Sequence, residues 1–256
     1  GFQFGFKLFP IDKMQWAEGD LLHTHVENRL RYPGALATLR AKWVNLVRDL
    51  EAARVAHGDL QHGNILVRAG AFQLVDYDGM WVPKLKGRHA TENGHRAYQH
   101  PERSEQDYGP ELDRFSALVV YVSLAALEKD ASLWERFHTG DNLIFVREDF
   151  QQPGRSEIWQ QLRRIGSAQI DQLAAAMVAM LQQPPMKVGS LDSVLRNLTS
   201  FKSPASTPAS KPAQPTPPTP ASKPAPAQRG APKAAPASTP SVPSWMKGGG
   251  YRNSDD

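Results

Sequence analysis

Asp59, Asn64 and Asp76 are the residues whose types and spacing could do chemistry. The first two stand five positions apart in His57-Gly58-Asp59-Leu60-Gln61-His62-Gly63-Asn64. The third follows the short apolar run Phe72-Gln73-Leu74-Val75 and opens Asp76-Tyr77-Asp78-Gly79. A carboxylate, an amide and a second carboxylate in that order suit phosphoryl transfer from ATP. One carboxylate accepts the proton of the attacking hydroxyl, while the amide and the other carboxylate hold magnesium on the phosphates.

Those side chains need elements to bring them together. Ile65-Leu66-Val67 is β-branched and apolar, Ala69-Gly70 is a turn signal, and Phe72 to Val75 is a second run; together they predict a β-hairpin. Such a hairpin returns the chain to its start, so Asp76 can face Asn64 and Asp59. The plainer alternative is an ordinary hairpin whose Asp and Asn residues cap turns. Upstream, Leu36, Leu39, Trp43, Leu46, Val47 and Leu50 recur at helical spacing and deliver the chain to His57. Downstream, a helix opening at Asp113 is apolar on nearly every side through Leu127. It is too short to span a bilayer, which takes about 20 apolar residues, and so predicts a core helix. Ile170, Leu173, Ala174, Met177, Val178 and Leu181 form another stripe, and Pro184-Pro185 ends it.

The string His57-Gly58-Asp59-Leu60 with Asn64, and then Asp76-Tyr77-Asp78-Gly79, resembles the catalytic half of the protein-kinase superfamily, whose pattern is H-R-D-L-x-x-x-N followed by D-F-G. Gly94 to Glu102 is similar to the end of an activation segment, with Pro101-Glu102 in place of the last letters of A-P-E. The resemblance covers about residues 9–198 and is densest between 57 and 116. It implies that Asp59 is the catalytic base and that Asn64 and Asp76 hold magnesium. It also implies that Asp113 holds the catalytic-loop backbone, with His57 a structural residue of that loop. Phe9 to Gly19 is similar to the last strand of the smaller lobe and the hinge, which makes Met14, Trp16 and Leu66 the nucleotide-binding candidates. Read without the family, Met14 is a core residue. Lys187 could pair with Glu102 as an Arg does in kinases; a solvated Lys is the other reading.

The departures are informative. Gly58 replaces the Arg with which many kinases grip a phosphorylated loop, removing the usual reason for that modification. Gln61 stands where Ser/Thr kinases place a Lys near the transferred phosphate. The H-G-D-L form is also similar to aminoglycoside and choline phosphotransferases. Asp76-Tyr77-Asp78-Gly79 is one residue longer than D-F-G, and its separation from Asn64 favours Asp76 over Asp78 as the metal ligand. A Gly-rich loop, a strand Lys and its Glu partner cannot fit ahead of residue 9. The expectation is therefore a fragment, most of a C-lobe with a scrap of the N-lobe, that is nearly inert alone although its parent is a kinase.

Composition divides the chain. From about Lys202 onward it is Pro, Ala, Ser, Thr and Lys, with 13 of the 21 prolines in residues 201–256. Such a stretch buries too little apolar surface to offset its ordering entropy, which predicts a disordered tail or linker with polyproline II character. A spacer is the plain reading; a docking segment for SH3- or WW-type partners is the sharper one. Trp245-Met246 is an isolated apolar pair within it. Seven basic residues against two acidic ones give the tail a surplus of five positive charges, so the rest of a +4 chain is near −1. The pI of 9.3 thus comes from the tail and argues for no nucleic-acid groove. Zero cysteine excludes disulfides, thiolate metal sites and thiol nucleophiles, and fits a cytoplasmic protein. No signal peptide or membrane span is visible, and the eight His show no zinc spacing; His62, His95 and His100 read as polar loop groups.

The fold expected is α+β and protein-kinase-like, with a mainly helical C-lobe and a small hairpin at the site over residues 1–200, and the tail over 201–256. The function expected is a bacterial-type Ser/Thr protein kinase using ATP and Mg2+ on a protein substrate, with no nucleic-acid or membrane partner. A small-molecule phosphotransferase and a pseudokinase scaffold are the alternatives.

Overall fold

A computed structural model of the chain describes residues 2–4, 7–9 and 16–200. Met14 and the residues from 201 onward, on which the tail reading rests, lie outside the described residues. One unit spans Gly1–Ser200. It is α+β, mostly helical, with small antiparallel sheets.

At the front, β1 (Phe2–Phe4) pairs antiparallel with β2 (Lys7–Phe9), Phe2 opposite Phe9. Of the segment expected to hold the last N-lobe strand and the hinge, residues 10–15 lie outside the described residues and 16–19 are irregular; β3 (Asp20–Leu21) begins at Asp20. It leads into the short α1 (Leu22–Glu27) and then α2 (Ala35–Ala53). The apolar residues of α2 recur every three or four positions, so Leu36, Leu39, Trp43, Val47 and Leu50 share one buried face.

After the loop that carries Asp59 come β4 (Ile65–Arg68) and β5 (Ala71–Leu74). They form the expected hairpin, with Ile65 opposite Leu74 and Arg68 opposite Ala71, and β3 adds to the far edge of β4. Ala69 and Gly70 both take positive φ, 49° and 72°, which is the backbone of a two-residue turn that matches strand twist.

The axis of the larger body is α3 (Arg114–Lys129), in which every residue from Phe115 to Leu127 is buried. Thirteen consecutive buried positions leave α3 no solvent face, as its composition predicted. Around it pack α2, α4 (Ser132–Phe137), α7 (Ala168–Met180) and α8 (Leu191–Ser200), while α5 (Arg147–Gln151) and α6 (Glu157–Arg164) stack beyond. The indole of Trp43 donates to the carbonyl of Ala117 at 2.9 Å, locking α2 to α3. On α7, Ile170, Leu173 and Met177 are buried, but Val178 faces outward at the edge of the stripe. Among the described residues no helix is long and apolar enough to cross a membrane.

Candidate active site

Two chain segments run side by side to make the site. Ala56 and Trp81 exchange backbone hydrogen bonds of 3.0 and 2.8 Å at one end, and Val75 N–H donates to the carbonyl of Asn64 at 3.0 Å at the other. The loop from His57 to Asn64 therefore lies against the segment from Val75 to Gly79. His57 is fully buried between them and its Nε2 bonds the Val75 carbonyl at 2.9 Å.

Contact at the middle of this pair depends on glycine. Gly58 has φ 83°, and a Cβ placed on it would lie 2.2 Å from the carbonyl oxygen of Gly79. A side chain there would collide with backbone, which cannot swing aside. Position 58 of this chain thus has no room for a side chain. Gly58→Ala is expected to destabilise the fold by about 2 kcal/mol or more, combining a left-handed backbone with the clash. A urea unfolding series checks it; an unchanged midpoint would contradict the packing described.

The loop backbone is held from below by Asp113, which precedes α3. Its Oδ2 accepts His57 N–H at 2.5 Å and its Oδ1 accepts Gly58 N–H at 2.8 Å. Burial pushes this carboxyl up from its usual range, and His57, the two amides and the Arg103 guanidinium oppose that rise. Two charge-assisted bonds to a fully enclosed carboxylate make a stiff support.

Asp59 and Asn64 meet directly. Asn64 Nδ2 donates to Asp59 Oδ2 at 2.9 Å and to the Asp59 carbonyl at 3.1 Å, while Asp59 Oδ1 accepts His95 N–H at 2.6 Å. With Nδ2 committed to Asp59, the free end of the amide is Oδ1, a hard oxygen ligand. Asp76, next to Val75, has φ 63°, a left-handed conformation uncommon outside glycine. Among the described residues nothing bonds its exposed carboxylate. Residues in such backbone states concentrate at functional sites. Asp78 is also exposed, inside a turn closed by Met80 N–H on the Tyr77 carbonyl at 3.0 Å.

An amide oxygen and one carboxylate suit magnesium, which takes one or two protein oxygens and fills its octahedron with water and phosphate. Among the described residues no group of three or more His, Cys, Asp or Glu is arranged to hold a metal ion by itself. Of the residues expected to bind nucleotide, Leu66 is buried on β4 opposite Leu21, whereas Trp16 is 86 % exposed.

Gln61 Oε1 accepts Gly63 N–H at 2.7 Å and braces its own loop. Of the two readings of Lys187, the pair with Glu102 does not form among the described residues; Arg147 on α5 donates to the neighbouring Pro101 carbonyl at 2.9 Å. His62 and His100 do lie in irregular chain as polar groups, and both are buried there. His62 Nδ1 meets the Tyr98 hydroxyl at 2.9 Å and its Nε2 the Gly140 carbonyl at 3.3 Å, with the His23 ring 4.9 Å away. Loss of solvent, reinforced by His23, lowers its pKa from 6.5 to about 4.

The folded state therefore keeps His62 neutral where the unfolded chain takes up a proton. Stability is expected to fall as pH drops from 6.5 to about 4 and to gain nothing further from this group above 6.5. Thermal melts across that window check it, and His62→Gln should flatten part of the slope.

Sequence reasoning missed Gln99 and Arg103, both of which reach Gly58 from beyond Pro101-Glu102 or just before it. No protein-family model matches the sequence, and no curated protein does.

Proposed function

We propose that this chain carries the larger lobe of a protein-kinase-like phosphotransferase that moves the γ-phosphoryl of ATP to a hydroxyl, with a Ser/Thr side chain of a protein as acceptor. The observation that carries the reading is the Asp59–Asn64 contact on a loop anchored by Asp113 and laid against a left-handed Asp76. A hairpin that merely capped its own turns has no need of a buried carboxylate beneath the loop.

Each residue has a task. Asp59 keeps both carboxylate oxygens anchored, by His95 N–H and by Asn64, and each oxygen has a further lone pair to receive the acceptor hydroxyl. It takes that proton as the oxygen attacks. Asn64 Oδ1 and Asp76 are the residues that would hold Mg2+. When bound with ATP, that ion supplies neutralisation of phosphate charge. Met14, Trp16 and Leu66 remain the candidates for the adenine side.

One observation favours a second reading. Position 61, where Ser/Thr kinases place a lysine near the transferred phosphate, holds a glutamine turned back onto Gly63. This keeps small-molecule acceptors in play. Radiolabel transfer from ATP by the full-length protein, to a generic basic protein and to a panel of aminoglycosides and choline, separates the two. Label on the protein alone is expected; label on the small molecules alone would move the assignment, and label on neither would favour a scaffold. The proline-rich segment is a spacer in this proposal, with a docked SH3- or WW-type partner as its alternative.

A further inference from the structure

We infer that Arg103 is a positioning residue that fixes the Gly58–Asp59 peptide and so orients the catalytic carboxylate, a role that rests on the phosphotransfer reading above. The Gly58 N–H is already bound by Asp113 at 2.8 Å. On the other side of the residue, the Gly58 carbonyl accepts Arg103 Nη1 at 2.8 Å and Gln99 Nε2 at 3.3 Å. Gln99, itself 3 % exposed, also accepts from Arg103 through Oε1. Donors and acceptors thus grip Gly58 at both ends, and the peptide plane leading into Asp59 has no freedom to rotate. Asp59 then needs only its contacts with His95 and Asn64 to be aimed.

The guanidinium is there at a cost. Its Nε and Nη2 are buried without hydrogen-bond partners, an arrangement that native structures seldom keep without reason. Charge supplies the reason. Three carboxylates, Asp113, Asp59 and Asp107, act on this cation, and the first two belong to the site. A permanently charged guanidinium balances them while its fork serves Gly58 and Gln99 together. Gly79 leaves no room for a side chain at position 58, and a guanidinium reaches the same loop from position 103.

The test uses two readouts. Amide hydrogen exchange across 57–64, measured on the chain as it stands, is expected to quicken at least about tenfold in Arg103→Met and less in Arg103→Lys, with α3 unchanged. In the full-length protein, kcat is expected to fall about 10²-fold in Arg103→Met with KM for ATP nearly constant, since a misplaced loop costs rate rather than nucleotide contacts. Arg103→Lys should recover part of that loss, a rescue that general destabilisation would not produce. Should Arg103→Met fail to fold, Gln99→Leu loosens the same carbonyl and carries both readouts. Unchanged exchange over 57–64, or quickened exchange with unchanged kcat, overturns the inference. Failure of the underlying reading looks different: the unaltered protein would transfer no phosphate to any acceptor, whatever the exchange result.

Discussion

Asp59→Asn in the full-length protein is expected to lower phosphoryl transfer by about 10²- to 10⁴-fold, the range a positioned general base supplies. ATP affinity should stay nearly intact. The loop can absorb the change, because an asparagine oxygen can still accept His95 N–H and Asn64 can still donate to the carbonyl of residue 59. The Asn64 amide therefore stays in place while the proposed proton acceptor is lost. Rate and affinity separate for a physical reason: in the proposed mechanism the base touches the acceptor hydroxyl and not the nucleotide. Single-turnover kinetics alongside ATP titration measures both. Equal loss of affinity would place Asp59 on the nucleotide, and wild-type turnover would place the base elsewhere.

The second large effect belongs to Asp76. Asp76→Ala should remove the magnesium-dependent part of ATP binding and cut transfer by about 10²- to 10³-fold, as loss of one preorganised electrostatic group does. Asp78→Ala should reduce transfer only modestly. The two carboxylates are both exposed and two residues apart, so exposure cannot rank them. Backbone can. Asp76 is joined through Val75 to the Asn64 carbonyl and is fixed at φ 63°, whereas Asp78 sits inside the Tyr77–Met80 turn. Calorimetric ATP titrations with and without magnesium on both variants decide between them. If Asp78→Ala lost the metal-dependent heat and Asp76→Ala kept it, the metal ligand would move two residues along.

Local chemistry explains which parts of this molecule could be read from its sequence. The β4–β5 hairpin was legible because β-branched runs flank an Ala-Gly pair, and both turn residues do take the positive φ that such a turn requires. The core character of α3 was legible because its composition leaves no polar face. The Asp113 anchor carried no local signal; it was named only through the resemblance, since its bonds to His57 and Gly58 cross more than fifty residues. Arg103 lay beyond both routes. It sits in irregular chain after Pro101-Glu102, where no periodicity marks an inward-reaching side chain. The burial of His62 went unread for a related reason: Tyr98 and Gly140, both distant in sequence, supply its partners. Gln61 was read by what it replaces, and the backbone amide it braces became visible only in the fold.

The most direct test is quantitative transfer of the γ-phosphoryl from labelled ATP·Mg by the full-length protein and by its Asp59→Asn variant, at matched nucleotide occupancy. Label on a hydroxyl acceptor from the first, and a loss of at least about 10²-fold in the second, is the predicted result. Equal transfer by both proteins, or none by either while ATP·Mg is bound, would contradict the account.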